Sequence, residues 1–271
     1  DDFLDLDFLR KGSETINILC HGLESSSKST YIKNMADALY NSGNDVVAWN
    51  NRSCSEEMNR SSKFYHSGDT SDLKCVIDFC IFDLGYKNIN LIGFSMGGNQ
   101  VLCFLAYEKT LSKKYINKSI VFSVPMDLSQ SSLLLNKGMG RAYGYNFLKT
   151  LKPKVLEKSH LLKQEGIELS NLKKVRTLGD FDHYFTAPLS GFESGEDYYQ
   201  KCSSLGLLEM IGTPVKIVNA LNDPFLSNSC YPRKIQNNYI ETFYPKRGGH
   251  IGFWQPLKGK NMEILALDYL Q

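Results

Sequence analysis

Gly93-Phe94-Ser95-Met96-Gly97-Gly98 directly follows an apolar run, Ile89-Asn90-Leu91-Ile92, that predicts a buried strand. The residues from Gly97 to Lys109 show helical periodicity. A G-x-S-x-G sequence between a strand and a helix is typical of a sharp turn that lifts the serine hydroxyl above the edge of a sheet. The small residues in it let neighbouring backbones approach without a clash. We therefore predict that Ser95 is a nucleophile at a helix N-terminus, where the helix dipole favours negative charge.

Strands and helices alternate on both sides of this turn. The strands predicted in the first half of the chain are Ile16–Cys20, Val46–Trp49, Ile89–Ile92 and Ser119–Val124. The helices predicted between them are Ser29–Ser42, Asp72–Leu84 and Gly97–Lys109. This alternation predicts an α/β protein with a parallel sheet and helices on both faces.

The alternation stops after Asp127, and a helical stretch rich in aromatic residues follows. The strands then resume at Val215–Ala220 and Tyr239–Tyr244, and Met262–Leu270 is a closing helix. We predict a single domain, 1–271, with its core at about 1–128 and 206–271 and a helical cap inserted at about 129–205. The aromatic residues of the cap either pack on a core of their own or line an apolar pocket, and we favour the pocket.

Composition excludes several classes of protein. The 271 residues contain 31 Lys and Arg against 29 Asp and Glu, and this net charge of +2 gives no reason to expect nucleic acid. Seven cysteines without paired spacing favour free thiols and a cytoplasmic location. No apolar run reaches the roughly 18 residues of a membrane span. Because the sequence opens on Asp1, a signal or anchor before it remains open. No metal or organic cofactor is expected.

A serine nucleophile needs a base and an acid that orients the base. In this kind of fold the order along the chain is Ser, acid, His. His250, flanked by glycines after the last predicted strand, is the candidate base. Asp223, at the end of the strand Val215–Ala220, is the candidate acid, with Asp182 and Asp197 as alternatives.

The oxyanion hole needs two backbone N–H donors. Met96, directly after the nucleophile, is predicted to supply one, and Leu23 in the loop after the first predicted strand the other. His21 is expected to support that loop and not to act as a second base. A Cys54–His66 nucleophile is rejected, because Cys54 lies on no strand-to-helix turn.

The motifs together resemble the YheT-like branch of the α/β-hydrolase superfamily, the AB-hydrolase-4-type carboxylesterases. The matching segments extend over nearly the whole chain: His21-Gly22-Leu23, 50–55, Tyr65-His66-Ser67-Gly68, 93–99, Ser123-Val124-Pro125, Phe181-Asp182, Phe185-Thr186-Ala187-Pro188, Asp197-Tyr198-Tyr199, 222–225 and 248–253. A series of this kind in one order is far more specific than the serine motif alone.

The resemblance implies an α/β-hydrolase core with a helical cap, carboxylic ester hydrolysis, and Ser95, Asp223 and His250 as the triad. Relatives in this branch act on acyl lipids, and some fungal ones make esters by acyl transfer. The expected partner is a small-molecule or lipid acyl ester, with peripheral membrane contact through the substrate as one option. Acyl transfer and a non-catalytic binding protein on the same fold are the alternatives. The sequence does not define the oligomeric state.

The chain departs from the pattern of this family at three positions. Ser25, Ser53 and Glu56 stand where relatives have glycine. Because a lost glycine removes easy access to positive φ, the shape of the loops around the pocket, and hence the substrate preference, is open.

Overall fold

A seven-stranded, mostly parallel sheet forms the centre of the protein. The computed structural model describes residues 2–253 and 262–271. The strands are β1 Leu6–Leu9, β2 Thr15–Cys20, β3 Asp45–Trp49, β4 Asn88–Phe94, β5 Ile116–Phe122, β6 Val215–Val218 and β7 Ile240–Phe243. Their order is β1-β3-β2-β4-β5-β6-β7, with β1 antiparallel to β3 and the other neighbours parallel. The α/β fold predicted from the sequence is confirmed.

Helices connect the strands. The α-helices of the described residues are α1 Thr30–Asn41, α2 Ser71–Asp78, α3 Met96–Tyr107, α4 Lys109–Tyr115, α5 Leu128–Leu134, α6 Gly140–Glu157, α7 Ser159–Gln164, α8 Leu178–Phe181, α9 Ala187–Leu189, α10 Gly195–Cys202 and α11 Met262–Leu270. Within the described ranges, none of the helices is both long and apolar enough to cross a membrane.

Both faces of the sheet are covered, as the alternation of strands and helices predicts. Ile18 of β2 belongs to a buried cluster with Leu73 of α2 and Leu102 of α3. Its neighbour Leu19 points to the opposite face and packs in a second cluster, which contains Leu39 of α1. Full burial of one such aliphatic side chain is worth about 1.5–3 kcal/mol. These two clusters fix the sheet rigidly beneath its loops.

Two elements were missed from the sequence. β1 is a short, half-buried edge strand that pairs antiparallel with β3, Leu6 opposite Trp49. That pairing joins residues far apart in the chain, and no local pattern reveals it. The helix expected at Gly97–Lys109 ends earlier, because the backbone leaves the helical region at Glu108 (φ −94°, ψ 47°) before α4 begins. In the seven-residue α4, Leu111 and Tyr115 are the apolar residues that pack against the core, and they are too few to mark a separate helix in the sequence.

The chain between β5 and β6, all of which is described, contains helices and no strand. We call residues 128–210 the helical segment. Leu148 and Val155 of α6 pack with Phe181 and Phe185 in a core that is separate from the two sheet clusters. Phe181 and Phe185 also line a cavity, so the aromatic residues serve both of the uses considered from the sequence.

Candidate active site

Ser95 lies in the turn between β4 and α3, as predicted. Its backbone has φ 53° and ψ −119°, a conformation that costs a non-glycine residue of order 1–3 kcal/mol. Its N–H donates to Phe122 O of β5 at 2.8 Å, so the neighbouring strand holds this strained residue in place. The side chain consequently projects from the carboxyl edge of the sheet.

Close backbone packing around Ser95 requires glycine at two positions. A Cβ atom on Gly97 would lie 2.3 Å from Cys20 O and 2.5 Å from His21 O. One on Gly93 would lie 2.6 Å from the Cα atom of Gly98. Because every one of these neighbours is a backbone atom of the sheet or turn, none can move aside. The glycines of the G-x-S-x-G sequence are thus explained by sterics.

Ser95, His250 and Asp223 come together in the order that the sequence predicts. His250 Nε2 lies 3.0 Å from Ser95 Oγ, and His250 Nδ1 lies 2.9 and 3.1 Å from the two carboxylate oxygens of Asp223. The Asp223 side chain is fully buried, whereas that of His250 is 14% exposed. With Nδ1–H donating to the carboxylate, the Nε2 lone pair is left to accept the serine proton.

The loops that carry the acid and the base are joined by hydrogen bonds. Asn222 Oδ1 accepts from the N–H groups of Gly248 and Gly249, each at 2.9 Å. Phe225 N–H donates to Asp223 Oδ1 at 2.9 Å, and the Phe225 ring lies 4.1 Å from the imidazole of His250. Asn222 and Phe225 therefore orient the acid and the base. They stand beside Asp223 in the sequence motif, but their partners are not visible from the sequence.

The two predicted oxyanion donors both lie close to Ser95. Met96 is the first residue of α3. Leu23 follows Gly22, and Gly22 lies so close to the nucleophile that a Cβ atom added to it would be 3.3 Å from Ser95 Cβ. Both residues line the same cavities beside the serine. An oxygen bound to Ser95 is thereby within the reach of this loop and of the α3 N-terminus.

The Leu23 loop is held by a residue that the sequence analysis did not identify. Glu24 has φ 52°, and its N–H donates to Tyr65 Oη at 2.9 Å. Tyr65 Oη in turn donates to Glu24 Oε1 at 2.6 Å, and Lys154 Nζ of α6 donates to the same oxygen at 2.8 Å. The Glu24 side chain is only 4% exposed. This Glu24–Tyr65–Lys154 clamp ties the candidate oxyanion loop to the helical segment.

His21 supports the same loop, in agreement with its expected role. Its Nδ1 donates to Gly22 O at 2.7 Å, while its Nε2 accepts from Asn51 N–H at 3.0 Å. Burial lowers the pKa of His21 to about 4. The imidazole is therefore neutral at pH 7, and both of its nitrogens are occupied by the backbone.

The alternative acids have other partners. Asp182 accepts from Thr186 Oγ1 and Tyr199 Oη, each at 2.7 Å, and burial raises its pKa to about 6. Asp197 pairs with Lys201 of its own helix at 2.7 Å. His250 is hydrogen bonded to Asp223 and to neither of these carboxylates.

Cys54 and His66 do not form an activated pair. Burial raises the pKa of the Cys54 thiol to about 11, so it stays protonated at neutral pH. His66 Nδ1 accepts from Gly68 N–H at 3.2 Å, and its ring packs against Phe192 and Tyr198. The structure agrees with the rejection of a cysteine nucleophile.

Ser53 stands in for a family glycine and keeps the conformation that glycine would favour. It has φ 61°, and its Oγ donates to Asn59 Oδ1. Ser25 Oγ lies 2.7 Å from Ser29 Oγ and accepts from Tyr31 Oη at 2.8 Å. Glu56 forms an exposed ion pair with Lys28. Side-chain hydrogen bonds thus stabilise the turn at Ser53 despite the loss of glycine.

Two adjoining cavities surround the oxyanion donors. The first is lined by Ser95 and His250 and by residues of the helical segment that include Phe147. The second is lined by Phe181 and Phe185. Leu23, Met96 and Asp182 line both. The candidate nucleophile therefore faces a mainly apolar space with two branches.

Comparison with known proteins agrees with this architecture. The family model described as the alpha/beta hydrolase fold matches residues 18–256. YheT of Escherichia coli strain K12 is 31% identical over 93% of this chain and 75% of its own length. The monoacylglycerol lipase of Saccharomyces cerevisiae is 26% identical over 90% of this chain, which spans only 56% of that protein. The structure of the Pyrococcus furiosus esterase Pf2001 superposes with a TM-score of 0.59 at 19% identity, covering 92% of this chain and 79% of the other.

Proposed function

The chain belongs to the α/β-hydrolase superfamily, in its YheT-like branch, and on that premise we propose that it hydrolyses carboxylic esters through an acyl-enzyme on Ser95. One observation carries the proposal: Ser95 Oγ, His250 and the buried Asp223 form a continuous hydrogen-bonded chain that opens into a mainly apolar cavity. Sequence similarity to proteins named as an esterase, in Escherichia coli, and a lipase, in yeast, supports ester hydrolysis over other reactions of the fold.

The proposed mechanism follows from the three side chains. His250 Nε2 takes the proton of Ser95 as its oxygen attacks the acyl carbonyl. The N–H groups of Leu23 and Met96 stabilise the oxyanion, and Asp223 stabilises the imidazolium that has formed. His250 then protonates the departing alcohol, and water activated by the same imidazole releases the acid from the acyl-enzyme.

We further propose that the substrate is an acyl lipid or a related small ester. Leu135, Phe147 and Phe225 make one wall of the first cavity apolar, as an acyl chain requires. Asp182 and Tyr199 also line this cavity, and their polar atoms suit a more polar alcohol group. The relative from yeast is named for an acylglycerol, in keeping with this class.

The domain organisation proposed from the sequence fits this function. In it, a single domain has a hydrolase core at about 1–128 and 206–271, and a cap at about 129–205 that shapes the pocket. The separate core of the helical segment supports this division. The seven cysteines are free and five of them are buried, which supports a reducing compartment such as the cytoplasm.

The proposal is tested by measuring hydrolysis of p-nitrophenyl esters of graded chain length by the wild type and by Ser95→Ala. Ser112→Ala is the matched control, since Ser112 is a buried serine of α4 outside the site. We expect Ser95→Ala to lose activity by about 10⁴-fold or more, and the control to keep it. Labelling by a fluorophosphonate probe should disappear in Ser95→Ala alone.

Absence of turnover and of labelling in the wild type would contradict the proposal and would favour a binding protein. Both hydrolysis and acyl transfer pass through the same acyl-enzyme, and they differ in whether water or an alcohol then takes the acyl group. Adding an alcohol to the assay therefore separates them. Hydrolysis predicts the free acid as the main product in water, whereas a transferase would release mainly the new ester.

A further inference from the structure

Residues 128–157 form two helices, α5 and α6, joined by a turn, and we call them the α5–α6 hairpin. One side of this hairpin lines the cavity beside Ser95 through Leu135 and Phe147. The hairpin therefore forms part of the wall of the candidate active site.

Other residues of the hairpin are large, apolar and exposed to solvent. Leu133 is 51% exposed, Met139 73% and Tyr145 62%. Three such residues within one hairpin make it a candidate for contact with another apolar phase. The hairpin thus has apolar side chains both lining the cavity and exposed to solvent.

The charges of the hairpin are mainly positive. Residues 128–157 contain five Lys and Arg and one acidic residue, Glu157 at the end of α6, although the whole chain has a net charge of only +2. Lys154 is paired with Glu24, but within the described ranges Lys137, Arg141 and Lys149 form no ion pair. Unpaired cations beside exposed apolar residues complement a surface that is negatively charged outside and apolar beneath.

The exposed face also lies next to the candidate catalytic residues. The ring of Tyr143 in α6 lies 4.6 Å from that of Phe225, and Phe225 lies 4.1 Å from His250. A surface that docks on this face is therefore only two aromatic rings away from the candidate base.

We propose that the outer face of the α5–α6 hairpin docks on an anionic lipid surface. Met139, Leu133 and Tyr145 insert at the level of the headgroups, and Lys137, Arg141 and Lys149 bind the anionic headgroups. Docking brings the cavity beside Ser95 to the plane in which acyl lipids reside. The inference rests on the proposed function for its purpose, but the docking itself does not require catalysis.

A second exposed apolar site provides the matched control. Phe82 is 70% exposed and precedes β4, so it lies at the opposite edge of the sheet from Ser95. Asp83 adjoins it in the chain, Asp78 is paired with Lys74, and Lys87 and Lys114 line the same surface pocket. Because acidic and basic side chains are mixed here, the attraction for anionic lipid is weaker than at the hairpin, and we expect this site not to dock.

The experiment uses the Ser95→Ala protein and flotation with two kinds of vesicle: phosphatidylcholine alone, and phosphatidylcholine with 30% phosphatidylserine. We expect binding to the anionic vesicles. The triple variant Lys137→Gln, Arg141→Gln, Lys149→Gln should weaken vesicle binding on the order of 100-fold, at about fivefold per cation. A second triple variant, Leu133→Ser, Met139→Ser, Tyr145→Ser, should abolish vesicle binding, whereas Phe82→Ser should leave it unchanged.

No binding to the anionic vesicles, equal binding by the triple variants, or loss of binding in Phe82→Ser would each overturn the proposal. So would a dimer in light scattering that the apolar triple variant makes monomeric, since the face would then bind a second copy. Turnover of a soluble short-chain ester by the wild type separates a failure of the docking proposal from a failure of the proposed hydrolase function. Turnover without vesicle binding refutes docking alone, and vesicle binding without turnover refutes the proposed hydrolase.

Discussion

The carboxyl edge of the sheet and the helical segment are built by different means. At the edge, Ser95 directly follows β4, Asp223 lies in the loop after β6, and backbone contacts fix the turn of Ser95. The helical segment has a core of its own. Polar side chains help to join it to the rest of the protein: Lys154 donates to the Glu24 carboxylate, and Lys158 donates to Ser61 O. The difference indicates that the rigid sheet holds the candidate catalytic groups, whereas the helical segment lines the adjoining cavity.

The largest expected effect is on kcat, and it compares two buried carboxylates, Asp223 at the sheet edge and Asp182 in the helical segment. Asp223→Asn should lower kcat about 10⁴-fold, because an amide does not stabilise the imidazolium or hold the required tautomer. Asp182→Asn, in the helical segment, should change kcat by less than about tenfold. Steady-state kinetics on a soluble ester measure both. A larger loss in Asp182→Asn would move the acid to the helical segment and break the comparison.

Two glycines test where close packing matters. Gly97→Ala should destabilise the protein by about 3 kcal/mol or more, because the new Cβ meets two sheet carbonyls within 2.5 Å. In the helical segment, the exposed Gly206 has no heavy atom within 4 Å of an added Cβ. Gly206→Ala should therefore leave the free energy of unfolding within about 0.5 kcal/mol of the wild type in urea titrations. Equal stability of the two variants would contradict the role given to the turn.

The clamp between the regions predicts a smaller effect on the reaction. Lys154→Met removes the ammonium donor from the Glu24 carboxylate, which keeps the hydrogen bond from Tyr65 Oη, and loosens the loop of Leu23. We expect kcat to fall about 10- to 100-fold with KM nearly unchanged, since an oxyanion donor acts mainly in the transition state. Affinity for a trifluoromethyl ketone, whose adduct carries the oxyanion, should fall in parallel.

Lys149→Met is the control for the clamp, because Lys149 is an exposed cation of the same helix. It should leave the turnover of a soluble ester unaltered. If Lys154→Met raised KM and spared kcat, the clamp would shape the pocket without positioning Leu23.

The smallest predicted effect is on the pH dependence of stability. Asp182 in the helical segment and His21 at the sheet edge should change stability with pH in opposite directions. Burial raises the pKa of Asp182 to about 6, so the folded state binds the proton of this carboxyl more tightly than the unfolded chain does. Proton binding therefore stabilises the fold at low pH, and this stabilisation is lost as the pH rises from about 4 to 6. Burial lowers the pKa of His21 to about 4, so its contribution is lost as the pH falls from about 6.5 to 4. One proton changes the slope by at most about 1.4 kcal/mol per pH unit.

Asp182→Asn should remove the first contribution and make stability rise more steeply with pH between 4 and 6. Urea unfolding at a series of pH values measures this slope. An unchanged slope would show that Asp182 titrates alike in the folded and unfolded chains.

The strands that carry the candidate site were predictable because their signals are local. The apolar run before Gly93 and the glycines after Ser95 specify a strand and a sharp turn within ten residues. The pairing of Asp223 with His250 follows from the order of strands in the sheet, so position along the chain was sufficient to suggest it.

What the sequence did not reveal depends on contacts between distant residues. β1 is defined by its pairing with β3, and the Glu24–Tyr65–Lys154 clamp joins three separate stretches of chain. A lysine in a polar helix and a glutamate in a loop resemble ordinary surface residues until the fold brings them together. The residues that couple the helical segment to the sheet were therefore missed, whereas those at the sheet edge were found.

The most direct test of the central claim is to trap the acyl-enzyme. The wild type is mixed with a p-nitrophenyl ester, quenched with acid within milliseconds, and digested for peptide mass analysis. The account predicts one acyl group per chain, on the peptide that contains Ser95, and none in Ser95→Ala. An adduct on another residue, or full turnover by Ser95→Ala, would contradict it.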